Sequence, residues 1–244
     1  MIYNSLIKSL IPFTLFLILL FNVAPAIHAQ DEDAVYLDSQ ELRDFQLTGV
    51  SRVQQKTNIK GSPFFNEEFI EGYILIRKNV RSGILPLRLN IDNNHLQYMD
   101  SDGNTFFLDS SRIKGFNLKT SSNDEIQFKN GFESDDFDKN TLVQVIYEGR
   151  ITLLAHHVTT LHEGLQSYGS ATKLNEYVNS TIYYISESDN NFKKIRLRER
   201  DFRRSLDKEL YNSLSLIAEK HNLKYNNDRD IAQMFRLLED GENL

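Results

Sequence analysis

The sequence predicts a mainly β fold: an antiparallel meander forming a sandwich or an open barrel, with a C-terminal helical hairpin. Three observations carry this. Between residues 60 and 200, short runs alternate apolar and polar residues at period two, the signature of strands with one buried face. Turn signals separate these runs at short intervals, which favours meander connections over crossovers. After Arg200 the apolar period lengthens to three or four residues, the spacing of an amphipathic helix stripe.

The elements follow in order. Residues 70–77 place Ile70, Ile74 and Ile76 on one face. In 85–91, Leu85, Leu87, Leu89 and Ile91 alternate with Pro86, Arg88 and Asn90. Pro86 has no N–H to give to a ladder, so this strand lies at an edge or has its other side open there. Asn93-Asn94 turns the chain into His95–Met99, and Asp102-Gly103 turns it again into Thr105–Leu108. An Asp-Gly pair between apolar runs is a hairpin signal because both residues tolerate positive φ. Strands are then expected near 112–118, 125–129, 142–148, 150–160, 176–186 and 192–198. Beyond them Phe202, Leu206, Leu210, Leu214 and Ile217 form one helical stripe. Asn226-Asn227 interrupts it and caps a second helix carrying Ile231, Met234, Phe235 and Leu238.

Four segments result. Residues 1–29 read as a signal peptide: Lys8 is the only charge before Asp31, and Ile11–Phe21 is apolar but short for a membrane span. A small-residue stretch follows, with Ala29 or Ala26 as the cleavage position. Residues 30–59 are polar and mixed, a loosely ordered lead-in with Tyr36, Leu42, Phe45 and Leu47 as anchors. Residues 60–200 form the β-domain and 201–244 the helical hairpin.

Composition narrows the chemistry. The chain has no cysteine among its 244 residues, which excludes disulfides, thiolate metal sites, a cysteine nucleophile and a lipidated N-terminal cysteine. Its formal net charge is −6 at pH 7, and removing the leader with Lys8 makes it more negative. That argues against general affinity for nucleic acid. No second apolar run is long enough to span a membrane, and no cofactor is expected.

Two clusters stand out. His156 or His157 with His162 and Glu163 offers nitrogen and oxygen ligands for a metal, although neighbours on a strand point to opposite faces. His162-Glu-Gly-Leu-Gln166 lacks the second histidine of a helical zinc-protease motif, and Gly164 and Gly169 disfavour a helix there. Lys193, Lys194, Arg196, Arg198 and Arg200, continued by Arg203 and Arg204, form the one concentrated basic patch. Such a patch suits an acidic or phosphate-bearing partner, unless Glu199, Asp201, Asp207 and Glu209 neutralise it. Asp100-Ser-Asp-Gly-Asn104 has the wrong spacing for a calcium loop and reads as a hairpin turn. Glu133–Asp138 reads as a solvated acidic connection. One member of each pair Phe64-Phe65, Phe106-Phe107 and Tyr183-Tyr184 should enter the core.

Lys60-Gly-Ser-Pro-Phe-Phe65, Leu87-Arg-Leu-Asn90, His95-Leu-Gln-Tyr-Met99, Ile113-Lys-Gly-Phe116, Val145-Ile-Tyr-Glu-Gly-Arg-Ile151, Tyr183-Tyr-Ile185 and the run from Arg196-Leu-Arg198 occur in a familiar order. In this the chain resembles a group of uncharacterised exported β-rich proteins of the Bacteroidota, over roughly residues 60–240. The group has no established activity. The resemblance implies a Gram-negative envelope context, so the mature chain is expected to be periplasmic or secreted. It departs from the group at Ala155-His-His157, where lysine and arginine are usual.

The function expected is that of a non-enzymatic envelope protein binding a protein or glycan partner through a β-scaffold. A metal-dependent hydrolase using the histidine cluster is one alternative. A structural subunit associating by strand-edge pairing is another.

Overall fold

Alternating side chains commit one face of each segment in the middle of the chain to a core, and the backbone groups of those segments must then pair with neighbouring strands. The computed structural model describes residues 35–38, 41–43, 59–120, 124–164, 175–187 and 191–241. Among these, thirteen strands form one mixed sheet. They are β1 (Val35–Leu37), β2 (Ile59–Lys60), β3 (Ile70–Arg77), β4 (Val80–Ser82), β5 (Leu85–Asn90), β6 (His95–Met99) and β7 (Thr105–Asp109). Then come β8 (Gly115–Lys119), β9 (Glu125–Lys129), β10 (Val143–Glu148), β11 (Thr152–His162), β12 (Asn175–Ser186) and β13 (Lys193–Ile195). Three helices follow: α1 (Glu199–Ser205), α2 (Lys208–His221) and α3 (Asp228–Glu239).

The main path runs β13-β12-β11-β10-β9-β8-β3-β5-β6-β7, antiparallel throughout, and does not close into a barrel. This is the mainly β architecture with C-terminal helices that the patterning predicts. Its longest pairing joins β11 to β12 from Thr152↔Ser186 to His162↔Glu176. Pro86 sits opposite Glu71 of β3, while the pairing of β5 with β6 starts only at Leu87. The second of the two readings for Pro86 therefore holds: its other side is open.

Two parallel pairs depart from the antiparallel expectation. β1 lies along β4, with Val35↔Val80 to Leu37↔Ser82, and β2 lies along β12 at Asn175↔Ile59 and Glu176↔Lys60. Strands of two or three residues leave no readable periodicity. The segment 30–59, read as loosely ordered, thus gives β1 to the sheet and Leu42, 1% exposed, to the core. Arg43 pairs with Asp100 at 3.2 Å. Residues 1–29, read from the sequence as an export signal, lie outside the described residues, as do 30–34, 39–40 and 44–58.

The Asp100–Asn104 turn is organised by a buried carboxylate: Asp100 Oδ1 accepts from the backbone N–H groups of Asp102 (2.9 Å) and Asn104 (2.8 Å). The aromatic pairs divide as expected at two places, with Phe106 and Tyr184 buried beside the less buried Phe107 and Tyr183.

The helical stripe is broken where one continuous helix was expected. Leu206 is extended (φ −95°, ψ 154°), and Asp207 caps α2 by accepting from Leu210 N–H at 2.9 Å. An N-capping aspartate next to the stripe lets the chain restart the helix at a new angle. Phe202, Leu214, Ile217, Ile231, Met234 and Phe235 then pack with Ile151 and with Leu153, Ile185 and Ile195 of the sheet. A second core holds Ile74, Leu87, Leu96, Tyr98, Phe116 and Phe128, and a smaller one joins Phe137, Val143, Leu154 and Tyr184. Among the described residues no helix is long and apolar enough to cross a membrane.

Candidate functional site

β13 pairs with β12 over only three residues, Tyr183↔Ile195 to Ile185↔Lys193. The chain then leaves the sheet through Arg196 and Leu197 and starts α1 after Arg198, which is extended (φ −146°, ψ 135°). Where β13 departs, an open cleft of about 840 Å³ remains between β12 and α1. Thr181 and Tyr183 form part of its floor, and Lys194, Arg196, Arg204 and Asp201 its walls.

Of the five cations expected to form a partner site, the structure brings Lys194 and Arg196 to this cleft. Lys193, Arg198 and Arg200 are exposed outside its lining. Lys194 Nζ stands 3.6 Å from Asp136, and Arg200 Nε stands 3.5 Å from Asp201. Exposed pairs of this kind are each worth about 0–1 kcal/mol. Arg196, Arg198 and Arg204 have no acidic partner within ion-pair distance among the described residues. Of the acidic residues near the patch, Asp201 pairs with Arg200 at the cleft wall, while Asp207 caps α2 and Glu199 accepts from Tyr211 Oη at 2.8 Å. Two guanidinium groups in one cleft are thus left free for an anionic ligand.

A smaller cavity of about 200 Å³ is lined by Asn94, Asp136, Phe137, Thr141, His156 and His157 among others. Tyr184 Oη donates to Asp136. That bond holds the Asp136 carboxyl below its usual range, with Lys194 acting the same way, while burial and Asp136 push the tyrosine hydroxyl up. His156 packs edge-on against Phe137 with centroids 5.0 Å apart, and burial lowers its pKa. Its Nδ1 is buried without a hydrogen-bond partner in the protein.

His157 faces the other way, as adjacent strand residues must. Its Nε2 meets Gln144 Oε1 at 2.8 Å and its Nδ1 meets Thr181 Oγ1 at 3.0 Å, so the ring ties β10, β11 and β12 together. Phe65 packs on it at 4.7 Å. Burial pulls its pKa down to about 4. This histidine is a neutral structural bridge at pH 7.

The expected metal set of His157, His162 and Glu163 is not assembled. His157 and His162 are separated by an odd number of positions on β11, so they face opposite sides, roughly 17 Å apart along the strand. His156 shares the face of His162 but sits one residue further away. Among the described residues no three histidine or acidic side chains are placed to hold a metal.

The residues that sequence reasoning missed are Thr181 in the cleft, Asn179 beside it on β12 and Asp136 at Lys194. The first two lie in the run Val178-Asn-Ser-Thr181, four consecutive exposed positions inside a strand. Such a polar run within an otherwise aromatic and β-branched segment was the available signal. Asp136 carried none, since its partner Tyr184 is far away in sequence. Comparison with protein-family models, curated proteins and solved structures finds nothing that matches this chain.

Proposed function

We propose that this protein is an exported, non-enzymatic β-domain of the cell envelope that binds an acidic partner, protein or glycan, in the cleft between β12 and α1. The observation that carries this reading is the pair of unpaired guanidinium groups, Arg196 and Arg204, set in one open cleft of about 840 Å³. Export rests on the sequence: the apolar run Ile11–Phe21, the small residues ending at Ala29 and the charge change at Asp31. The resemblance to exported Bacteroidota proteins supports the same compartment. A binding role also fits the histidines, of which His157 is fully engaged in joining strands and His162 stands apart from it.

The test is direct. Binding of fluorescent poly-glutamate and of heparin, two polyanions of different backbone, is measured at low and moderate salt for the wild type and for Arg196→Glu with Arg204→Glu. At least one should bind the wild type, weaken with salt, and lose tenfold or more with the double variant, whose melting temperature stays near wild type. Equal behaviour of the two proteins towards both polyanions sinks the proposal.

A further inference from the structure

β12 is twelve residues long, and among the described residues its outer edge carries strands only near its ends, with Gly61 and Ser62 continuing from β2 past Tyr177 to Asn179. β2 pairs with Asn175 and Glu176, and β13 pairs with Tyr183 to Ile185. Between them no described strand lies against Val178–Ile182. Val178, Asn179, Ser180 and Thr181 are all exposed, Val178 at 44%. Successive side chains point to opposite faces, so four exposed positions in a row leave both faces of this stretch uncovered, and the lack of a described strand beside it leaves its edge accessible.

The direction of the unpaired backbone groups follows from Gly61. A Cβ there would lie 2.6 Å from the carbonyl oxygen of Tyr177, so that carbonyl points towards β2 and the open edge. Groups two residues apart point the same way. The N–H and C=O of Asn179 and Thr181 therefore also face outward, at the spacing of a ladder. The side chains of these two residues are already engaged. Asn179 donates to the carbonyl of Ser62 at 3.1 Å, and Thr181 Oγ1 contacts His157. Both hold the edge in place.

Exposed edges are normally guarded by charge, proline or short length. β13 follows that rule with Lys193-Lys194 on a three-residue strand. Val178-Asn-Ser-Thr-Ile182 has no charge and no proline. The guard is missing beside the basic cleft, whose lining includes Thr181, Ile182, Arg196 and Arg204.

Resting on the reading of the cleft as an acidic-partner site, we infer that the partner docks by strand addition: an extended acidic peptide pairs with β12 across Val178–Ile182. Its main chain takes up the groups of Asn179 and Thr181, and its carboxylates meet Arg196 and Arg204. Main-chain pairing supplies much of the affinity, and the two guanidinium groups select acidic sequences. A glycan satisfies the cations but does not offer alternating N–H and C=O groups in ladder register.

The probe is a capped eight-residue peptide of alternating threonine and glutamate, labelled for fluorescence anisotropy. It is compared with the same sequence N-methylated at alternate residues, which keeps the charge and removes strand pairing. Binding of the plain peptide, with at least a tenfold loss on N-methylation, is the expected result. Asn179→Pro, which deletes an outward N–H at an edge position, should cost a similar factor relative to Asn179→Ala, which loses the same bond to Ser62 but keeps the N–H; should the proline variant not fold, the methylated peptide decides alone. Equal binding of both peptides overturns strand addition while leaving the acidic-partner reading intact. Binding of heparin without the plain peptide does the same. No binding of peptide, heparin or poly-glutamate removes both. A concentration-dependent rise in mass by light scattering, abolished by Asn179→Pro, would assign the edge to a second copy and overturn the peptide.

Discussion

Gly72→Ala should destabilise the sheet where β3 crosses its middle. Gly72 is buried and lies opposite Leu85 of β5 on one side and Leu118 of β8 on the other. A Cβ placed there would stand 2.1 Å from the carbonyl oxygen of Asn117 and 3.0 Å from Leu87 Cδ1. The first distance is far inside contact, and the atom it meets is backbone, so no rotamer change relieves it. One strand must move by roughly 1 Å, stretching the neighbouring ladder bonds and disturbing packing on Leu87. Overpacking of this kind costs about 1–3 kcal/mol, and each weakened ladder bond about 1 kcal/mol. The smaller unfolded-state entropy of alanine returns roughly 0.5 kcal/mol. The net is about 3 kcal/mol, or roughly 6–12 °C in melting temperature for a chain of this size. Urea and thermal unfolding followed by circular dichroism would measure it, with Gly83→Ala as control. Nothing lies within 4 Å of a Cβ at Gly83, so that change should stay within about 0.5 kcal/mol. If Gly72→Ala also stays within 0.5 kcal/mol of wild type, the close approach of β3 and β8 is refuted.

Other outcomes follow from the same structure. Because burial holds the folded-state pKa of His157 near 4, below the ordinary histidine value of 6.5, the unfolded chain takes up the proton first as pH falls. Its contribution is present above pH 6.5 and is lost on the way down to pH 4; the unfolding free energy from urea titrations should fall by about 2 kcal/mol between pH 6.5 and 4.5. His156 is shifted in the same direction and adds to the loss, and His157→Gln should flatten the slope. Phe235→Ala removes a fully buried ring that contacts Tyr147 at 5.4 Å and Phe202 at 6.4 Å. It should cost about 3–5 kcal/mol in chemical denaturation. Coincident loss of helix and sheet signals in that variant would show that the helices and the β-structure unfold together; two separate transitions would contradict the shared core.

The basic cleft shows how unevenly a site can be read from a chain. Lys194, Arg196 and Arg204 are visible as a charge run because local sequence clusters them. Which of them are free is not visible, since Asp136 approaches Lys194 from a loop far away in sequence, and Glu199 and Asp207 turn to Tyr211 and the α2 N-terminus. The histidine cluster failed as a metal site for the converse reason. Its members are close in sequence, but an extended strand separates them by roughly 3.3 Å per residue and reverses the face at every step.

By itself the sequence determined the strands long enough to alternate several times, the hairpin at Asp102-Gly103, the change to helical period after Arg200 and the cap at Asn227. Each depends on a residue's own conformational preference or on the burial of one face, and both are written locally. Tertiary structure alone decided the strand order, the two parallel pairs made by β1 and β2, and the restart of the helix at Asp207. It also decided that β12 outruns both of its outer neighbours. An edge stays open or becomes covered according to where distant segments end, and no stretch of chain encodes the length of its partner.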